Sequence, residues 1–299
     1  MWVFSRFVRY FDEAARQGSM RKAGDVLHVS SSSVDRQILR IEEEIGVPLF
    51  ERQPQGLKLT SAGELVLHSL RKWQSEMQAL QSKIEDLKGL KRGKVVLAVI
   101  EGAASEFVAS AAMDFHRSYP AVTFELLIYG AHRVTEAVLA GDVDFGLTIN
   151  PRLTPGLAVI AQKTFRVGAV VAPDHPLAAR PQIRLSECLP YKVVVAEPSL
   201  DLRLIVNQML ARSSARPEPI ASSNSIMLMK ELVMRGMGVG LMTEMDAHKE
   251  IASGQLTYLP LADKPIPPSM LTLCVSSDRQ LSLPATTLLN VVKARLDHM

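Results

Sequence analysis

Val66, Leu70, Trp73, Met77, Leu80, Ile84 and Leu87 recur at steps of 4, 3, 4, 3, 4 and 3. A stripe that narrow, kept for about three heptads, is the seam of a coiled coil rather than the broad face of a core helix. Arg71, Lys72, Glu76, Lys83, Glu85, Asp86 and Lys88 lie off the seam. A helix over 61–88 would run roughly 42 Å, further than a small folding unit is wide. It therefore divides the chain, and the residues on either side must find separate cores. A helix lying on its own globular domain is the weaker reading, because no second apolar face exists. Gly89-Leu-Lys-Arg-Gly93 then reads as a hinge.

Ahead of the seam, Phe4, Phe7, Val8, Phe11 and Ala15 share one face of an amphipathic helix that Gly18 stops. Ser19 can cap a short second helix from Met20 to about Leu27, with the small residues Ala23 and Gly24 in its middle. A break at His28-Val-Ser30 follows, and Ser30 or Ser31 can cap a third helix running to Ile45. Val34, Ile38, Ile41 and Ile45 would be its buried stripe, and Gly46 and Pro48 end it. Two short helices joined by a tight turn make a helix-turn-helix. The second of them offers Ser31, Ser32, Ser33, Asp35, Arg36, Gln37 and Arg40, donors and acceptors suited to base edges and phosphates. Leu49-Phe50 should pack on the helices. The stretch Glu51-Arg-Gln-Pro-Gln-Gly-Leu-Lys-Leu-Thr60 reads as strand, turn, strand, a wing whose Arg52 and Lys58 suit phosphate.

Gly18-Ser19, Ala23, Leu27-His-Val-Ser30, Val34, Arg36-Gln37-Ile38, Ile41-Glu42, Gly46-Val-Pro-Leu-Phe-Glu-Arg52, Leu59-Thr60 and Ala62-Gly63 together resemble the signature of LysR-type transcriptional regulators. The match is ordered and spans about sixty residues. It departs at Ser31-Ser32, where the family usually has Gln-Pro, and at Asp35, where it usually has Ser. Serine caps must then replace the proline that presets φ. Asp35 repels phosphate, so it either faces a donating base such as cytosine or stands clear of DNA. The family's usual base contacts do not carry over.

Past Gly93 the pattern alternates. Strands are expected at Val95–Ile100, Val122–Tyr129 and Val143–Ile149, with helices through Phe115 and up to Gly141 between them. A second unit runs through Phe165–Ala172, Tyr191–Ala196, the helix Asp201–Ala211, a segment around Ile220, the helix Ile226–Arg235 and Val239–Met242. Met270–Val275 and a helix Pro284–His298 follow. Such alternation implies parallel sheets with crossover helices, in two lobes around a cleft. Phe107 through Tyr119-Pro120, Gly141-Asp-Val-Asp-Phe-Gly146, His175-Pro-Leu-Ala178 and Val233 through Gly240 are similar to landmarks of the LysR effector domain.

The fold class is thus multidomain: an all-α winged helix-turn-helix (1–60), a linker helix for dimerisation with its hinge (61–92), and a two-lobed α/β domain, type 2 periplasmic-binding-protein-like (93–299). By the resemblance, lobe 1 would hold 93–164 and 266–299, and lobe 2 would hold 165–265. The implied function is sequence-specific DNA binding governed by a small-molecule effector. Ligands of open α/β sheets sit beyond the carboxyl ends of strands, where helix N-termini offer free N–H groups. Those places are Glu101, Gly102, Ala103, His132, Thr148 and Asn150 in the first lobe. In the second they are Arg203, Ser222, Ser223, Asn224 and Thr243, with Ser199 alongside. Helix capping is the competing role for the serines, Asn150 and Asn224. His132, Arg203 and the helix N-termini lean toward an anionic effector such as a carboxylate.

Other chemistries fit less well. Gly236-x-Gly238-x-Gly240 lies after a helix and before a strand, the reverse of a phosphate-binding glycine loop. No Gly-x-Ser-x-Gly elbow occurs, and the seven histidines show no metal spacing. Cys188 and Cys274 make no disulfide framework; buried small hydrophobes are the preferred reading and a redox switch the alternative. No cofactor is expected beyond a small-molecule co-inducer, and no metal or catalytic residue. The opposing class is an enzyme or solute-binding protein behind an unrelated helical front, which would bind no DNA. Net charge is +3, and residues 1–92 carry 15 Lys+Arg against 12 Asp+Glu while the rest carries 19 of each. That whole excess lies where a polyanion would be met. Expected partners are a double-stranded DNA operator, the effector, a second copy in a homodimer or homotetramer, and RNA polymerase as a further candidate, but no membrane. The start lacks an uninterrupted apolar region and a cleavage site, so the cytoplasm is the expected compartment.

Overall fold

Phe7, Val8, Tyr10, Phe11 and Ala14 are buried along one side of α1 (Arg6–Gln17), because they fall three and four apart on a 3.6-residue turn. The computed structural model describes residues 6–53, 56–87, 92–212, 219–263 and 268–298. Phe4 and residues 89–91 of the expected hinge lie outside them, while its Arg92 and Gly93 open a strand. The chain forms two compact units, Met1–Gln78 and Ala79–Met299.

In the first unit α2 (Met20–Leu27) is capped by Ser19, whose hydroxyl accepts from the Lys22 amide. α3 (Ser31–Ile45) is capped by Ser30, which accepts from the Ser33 amide at 3.2 Å. Gly24 sits where the two helices close on each other: a Cβ there would meet the Val29 carbonyl at 2.8 Å. The turn therefore needs glycine. Ile38 and Ile41 are buried as expected, but Ile45 is exposed, because α3 ends there and its last turn overhangs the core. β1 (Phe50–Gln53) pairs antiparallel with β2 (Gly56–Leu59) to form the wing. The Glu42 carboxylate fixes it to α3 by accepting from the Leu49 and Phe50 amides at 2.6 and 3.1 Å. α4 (Ser61–Leu87) begins where the Thr60 hydroxyl donates to the Pro48 carbonyl and accepts from the Gly63 amide. Leu67 and Leu70 bury against the helical core, and Arg71 pairs with Asp12 of α1 at 3.0 Å. Further along α4, Trp73, Leu80 and Ile84 are exposed. The side chains of Lys83, Glu85, Asp86 and Leu87 are outside the description.

The second unit holds two five-stranded sheets. Its elements are β3 (Arg92–Val99), α5 (Glu101–Ala103), a π-helical segment (Ala104–Ala109), α6 (Ser110–Ser118), β4 (Ala121–Ile128), α7 (Ala131–Ala140), β5 (Phe145–Ile149), β6 (Leu157–Phe165) and β7 (Val167–Val171). Then come β8 (Val193–Ala196), α8 (Asp201–Arg212), β9 (Pro219–Ser223), α9 (Ile226–Met234), β10 (Val239–Thr243), α10 (His248–Ala252), β11 (Thr257–Leu259), β12 (Ser269–Ser276) and α11 (Leu283–His298). One sheet has the order β4-β3-β5-β12-β6 and the other β11-β7-β10-β8-β9. Each lobe closes on its own apolar core, around Leu97, Phe107, Phe145 and Leu288 in the first and Val170, Val194, Met229 and Leu241 in the second.

The expected parallel pairing holds for β3, β4 and β5, but the sheets as wholes are mixed. β3 runs parallel to β4 and β5, but β12 is antiparallel to β5 and β6. β10 is likewise parallel to β8 but antiparallel to β7. β5, β6 and β7 follow one another with no α-helix between, and without a crossover helix successive strands reverse or leave the sheet. The chain does both: β6 lines the edge of the first sheet, and after Arg166 β7 enters the second.

Candidate DNA-reading face and inter-lobe site

Serine is a poor interior helix former but a good cap, since its short hydroxyl reaches back to the backbone. The run Ser30–Ser33 uses this at the start of α3. The Ser30 hydroxyl lies 3.1 Å from that of Ser32 and 2.7 Å from that of Ser33, so a local hydroxyl cluster stands where the family's proline would be. Ser31, Ser32, Ser33, Arg36 and Arg40 are exposed on one side of α3, with Gln37 and Asp35 half-buried. Lys58 and Arg52 are exposed on the wing. Asp35 does not stand alone: its Oδ1 accepts from Arg52 Nη2 at 2.6 Å. That pair ties α3 to the wing and masks the carboxylate that would repel phosphate. An exposed pair adds little stability, and the guanidinium keeps donors for a phosphate oxygen. Arg40 pairs with Glu44 one turn on, at 3.2 Å.

In the second unit the carboxyl ends of strands from both lobes come together at Glu101. This residue follows β3 and opens α5. Its carboxylate accepts from Ser225 Oγ at 2.9 Å, from the Ile226 amide at 2.9 Å and from the Met227 amide at 3.1 Å. Those donors are the first turn of α9, in the other lobe. Gly102 lies against the Asp246 carboxylate, where a Cβ would collide with it. Asp246 in turn accepts from the Thr243 amide and hydroxyl at 2.9 and 2.7 Å. Burial pushes the Asp246 carboxyl above the usual carboxylate range and the Glu101 charge adds to this, while the Thr243 bonds and Lys230 oppose it. Burial raises the Asp201 carboxyl at the start of α8, with His132 opposing this, while the His132 ring itself faces Glu136 one turn on, its Nδ1 3.4 Å from that carboxylate.

The other expected ligand positions divide. Ala103 is wholly buried in the first core and offers a ligand no surface. Thr148 and Thr243 are also buried, the first donating to the Ala131 carbonyl at 3.0 Å and the second to Asp246. These three serve the lobes' own packing. Asn150, at φ 43°, accepts from the Met270 amide at 2.8 Å and clips β12 to the end of β5. Arg203 is half-buried, donating to the Ala196 carbonyl and Asn207 at 2.9 Å each. Ser223 accepts from the Ser225 amide at 3.0 Å, while His132, Ser222 and Asn224 are exposed. Ser225 and Asp246 join this site, and neither they nor Asp201 were foreseen. Ser225 directly follows the Ser222–Asn224 run that reads as a capping stretch, and it does cap α9. Nothing in the local sequence announces the other two.

Cys188 and Cys274 are buried free thiols, and burial pushes each up to about 12. Thiolate is the reactive form. Iodoacetamide at neutral pH should therefore label neither cysteine of the folded protein, and both after denaturation. Rapid labelling of either in the native state would contradict the burial.

Among the described residues no group of three or more His, Cys, Asp or Glu could hold a metal ion, and no helix is long and apolar enough to cross a membrane. The family description "Bacterial regulatory helix-turn-helix protein, lysR family" matches residues 5–64, and "LysR substrate binding domain" matches 88–297. The transcriptional regulator CbbR of Xanthobacter flavus is 30% identical over 268 residues, covering 87% of this chain and 79% of that protein. A full-length OxyR variant from Pseudomonas aeruginosa superposes with a TM-score of 0.69 at 17% identity, over 97% of this chain and 93% of its own. The regulatory domain of Synechocystis CcmR, in complex with 2-PG, superposes with a TM-score of 0.60 at 21% identity, over 70% of this chain and 99% of its own. With both its helix-turn-helix and its two-lobed domain matched in order, the chain belongs to the LysR family of transcriptional regulators.

Proposed function

We propose that this regulator reads an operator with α3, pairs with a second copy through α4, and answers a small effector held between its lobes, without catalysis. The observation that carries the reading is the exposed face of α3: Ser31–Ser33, Arg36 and Arg40 stand clear of the core beside a basic wing. Arg36 and Gln37 lie one to two turns into α3, within the N-terminal portion from which recognition helices reach base edges. Arg52 and Lys58 are assigned to phosphates and Asp35 to holding Arg52. The exposed Trp73, Leu80 and Ile84 support pairing along α4, in a homodimer or in a homotetramer built from two. The 2-PG bound by the CcmR regulatory domain supports a small-molecule effector here. His132, Arg203, Ser222, Ser223 and Asn224 are its proposed contacts, and RNA polymerase is a proposed partner at the promoter.

The test is a mobility-shift titration on the DNA upstream of the protein's own gene. Arg36→Ala should weaken operator binding by more than about tenfold, the scale of one good base contact at roughly 1–3 kcal/mol. Wild-type affinity should fall steeply with salt as counterions are released. Equal affinity for operator and random DNA would overturn the assignment.

A further inference from the structure

A carboxylate is the natural ligand of a helix N-terminus, where unpaired amides and the helix dipole meet it together. At α9, nine residues long, that place is already taken by the chain itself. Glu101 crosses from the first lobe and satisfies the Ile226 and Met227 amides and the Ser225 hydroxyl with both its oxygens. Ser225 both caps α9, accepting from the Leu228 amide at 3.3 Å, and donates to Glu101. The nearest cation on α9, Lys230, is committed to Glu250 at 2.8 and 2.9 Å. Next to Glu101, Gly102 has no side chain, which lets this turn approach the buried Asp246 of the second lobe. The six-residue π-helical segment that follows fits the pattern of such segments at functional sites.

We propose that Glu101 is a built-in ligand: it latches the two lobes through the N-terminus of α9, and a free carboxylate can use that terminus only by displacing it. The latch itself needs only these contacts. Its regulatory meaning rests on the effector reading above, so the test is made on the full chain without DNA or effector, where failure of one leaves the other standing.

Amide hydrogen exchange and melting would be measured for wild type, Glu101→Ala and Glu101→Gln, in sodium acetate and in sodium chloride of equal ionic strength. In chloride, the Ile226 and Met227 amides of Glu101→Ala should exchange about tenfold faster or more, because their acceptor is gone. Acetate should slow that exchange and raise the melting temperature of Glu101→Ala by filling the vacated terminus, as binding to the folded state requires. It should leave wild type unmoved. Glu101→Gln, of the same size but uncharged, should fall between the two and supplies the measurement if the alanine variant folds poorly. Exchange at Ile226 and Met227 as slow in both variants as in wild type would overturn the latch. So would acetate shifting wild type and Glu101→Ala alike.

Discussion

Replacing Leu80 by arginine is expected to break the proposed pairing along α4 and leave a smaller species. Leu80 is 50% exposed on α4, at heptad spacing from Ile84, which is also exposed. In the paired state two copies of the new arginine would meet in the seam, and an unpaired buried charge costs several kcal/mol. At about 1.4 kcal/mol per decade, the dissociation constant of the pair should rise on the order of a thousandfold. Operator affinity should fall roughly a hundredfold or more, since two half-sites would no longer share one binder. Sedimentation at micromolar protein gives the answer directly. A Leu80→Arg protein of unchanged mass would mean that the seam packs within its own chain.

A second large effect is expected from Arg279→Met. Arg279 is nearly buried at the edge of the first lobe, where its Nη2 meets Asp144 Oδ1 at 2.8 Å. Its Nη1 donates to the Gly141 and Val143 carbonyls at 3.0 and 2.7 Å. The other Asp144 oxygen accepts from the Val96 amide at 2.8 Å, so the carboxylate clips β3 to the approach of β5. Burial already raises the Asp144 carboxyl, and Arg279 is the chief influence holding it down. Methionine would leave that charge alone in the core, at a cost of roughly 3–5 kcal/mol. For a unit of this size the melting temperature at neutral pH should drop by about 6–20 °C. The pH dependence has a definite sign. A carboxyl whose folded-state pKa is raised binds more protons folded than unfolded, so stability falls as pH rises above its ordinary value. The loss levels off above the raised value. Acidification should therefore shrink the gap between variant and wild type, and a gap that widens with acid would contradict the assignment.

The winged helix-turn-helix was legible because its instructions are local. Ser19 and Ser30 cap the helices that follow them, Gly24 inside α2 lets the turn pack close, and Leu49-Phe50 leads into the wing. Each signal acts within a few residues of where it is written. The α/β lobes were legible only in part. Short apolar runs announce strands but not their direction, so the antiparallel place of β12, which returns from the far end of the chain to lie between β5 and β6, was not read. The strand expected at Phe165–Ala172 blurred the passage between sheets at Arg166, and β6 before it was missed. The inter-lobe site was the least legible. Glu101 was named from its place after β3, yet its partners stand 124 to 126 residues away, and no periodicity carries that pairing. Asp35 teaches the same lesson at shorter range: its oddity in the family pattern was visible, but its answer, Arg52, lies across the wing.

In the proposed function a ligand held between the two lobes governs the DNA-reading head. The most direct measurement is a footprint of the protein's own upstream region, with and without a compound found by melting shift, for wild type and the double variant His132→Ala, Ser223→Ala. Wild type should protect a pseudo-palindromic site in both conditions and change the length or bend of that protection when the compound is added. The double variant should protect the same site with the same affinity and no longer respond. A variant that answers the compound as wild type does would contradict the placement of the ligand between the lobes, and protection with no preference over random DNA would contradict the account as a whole.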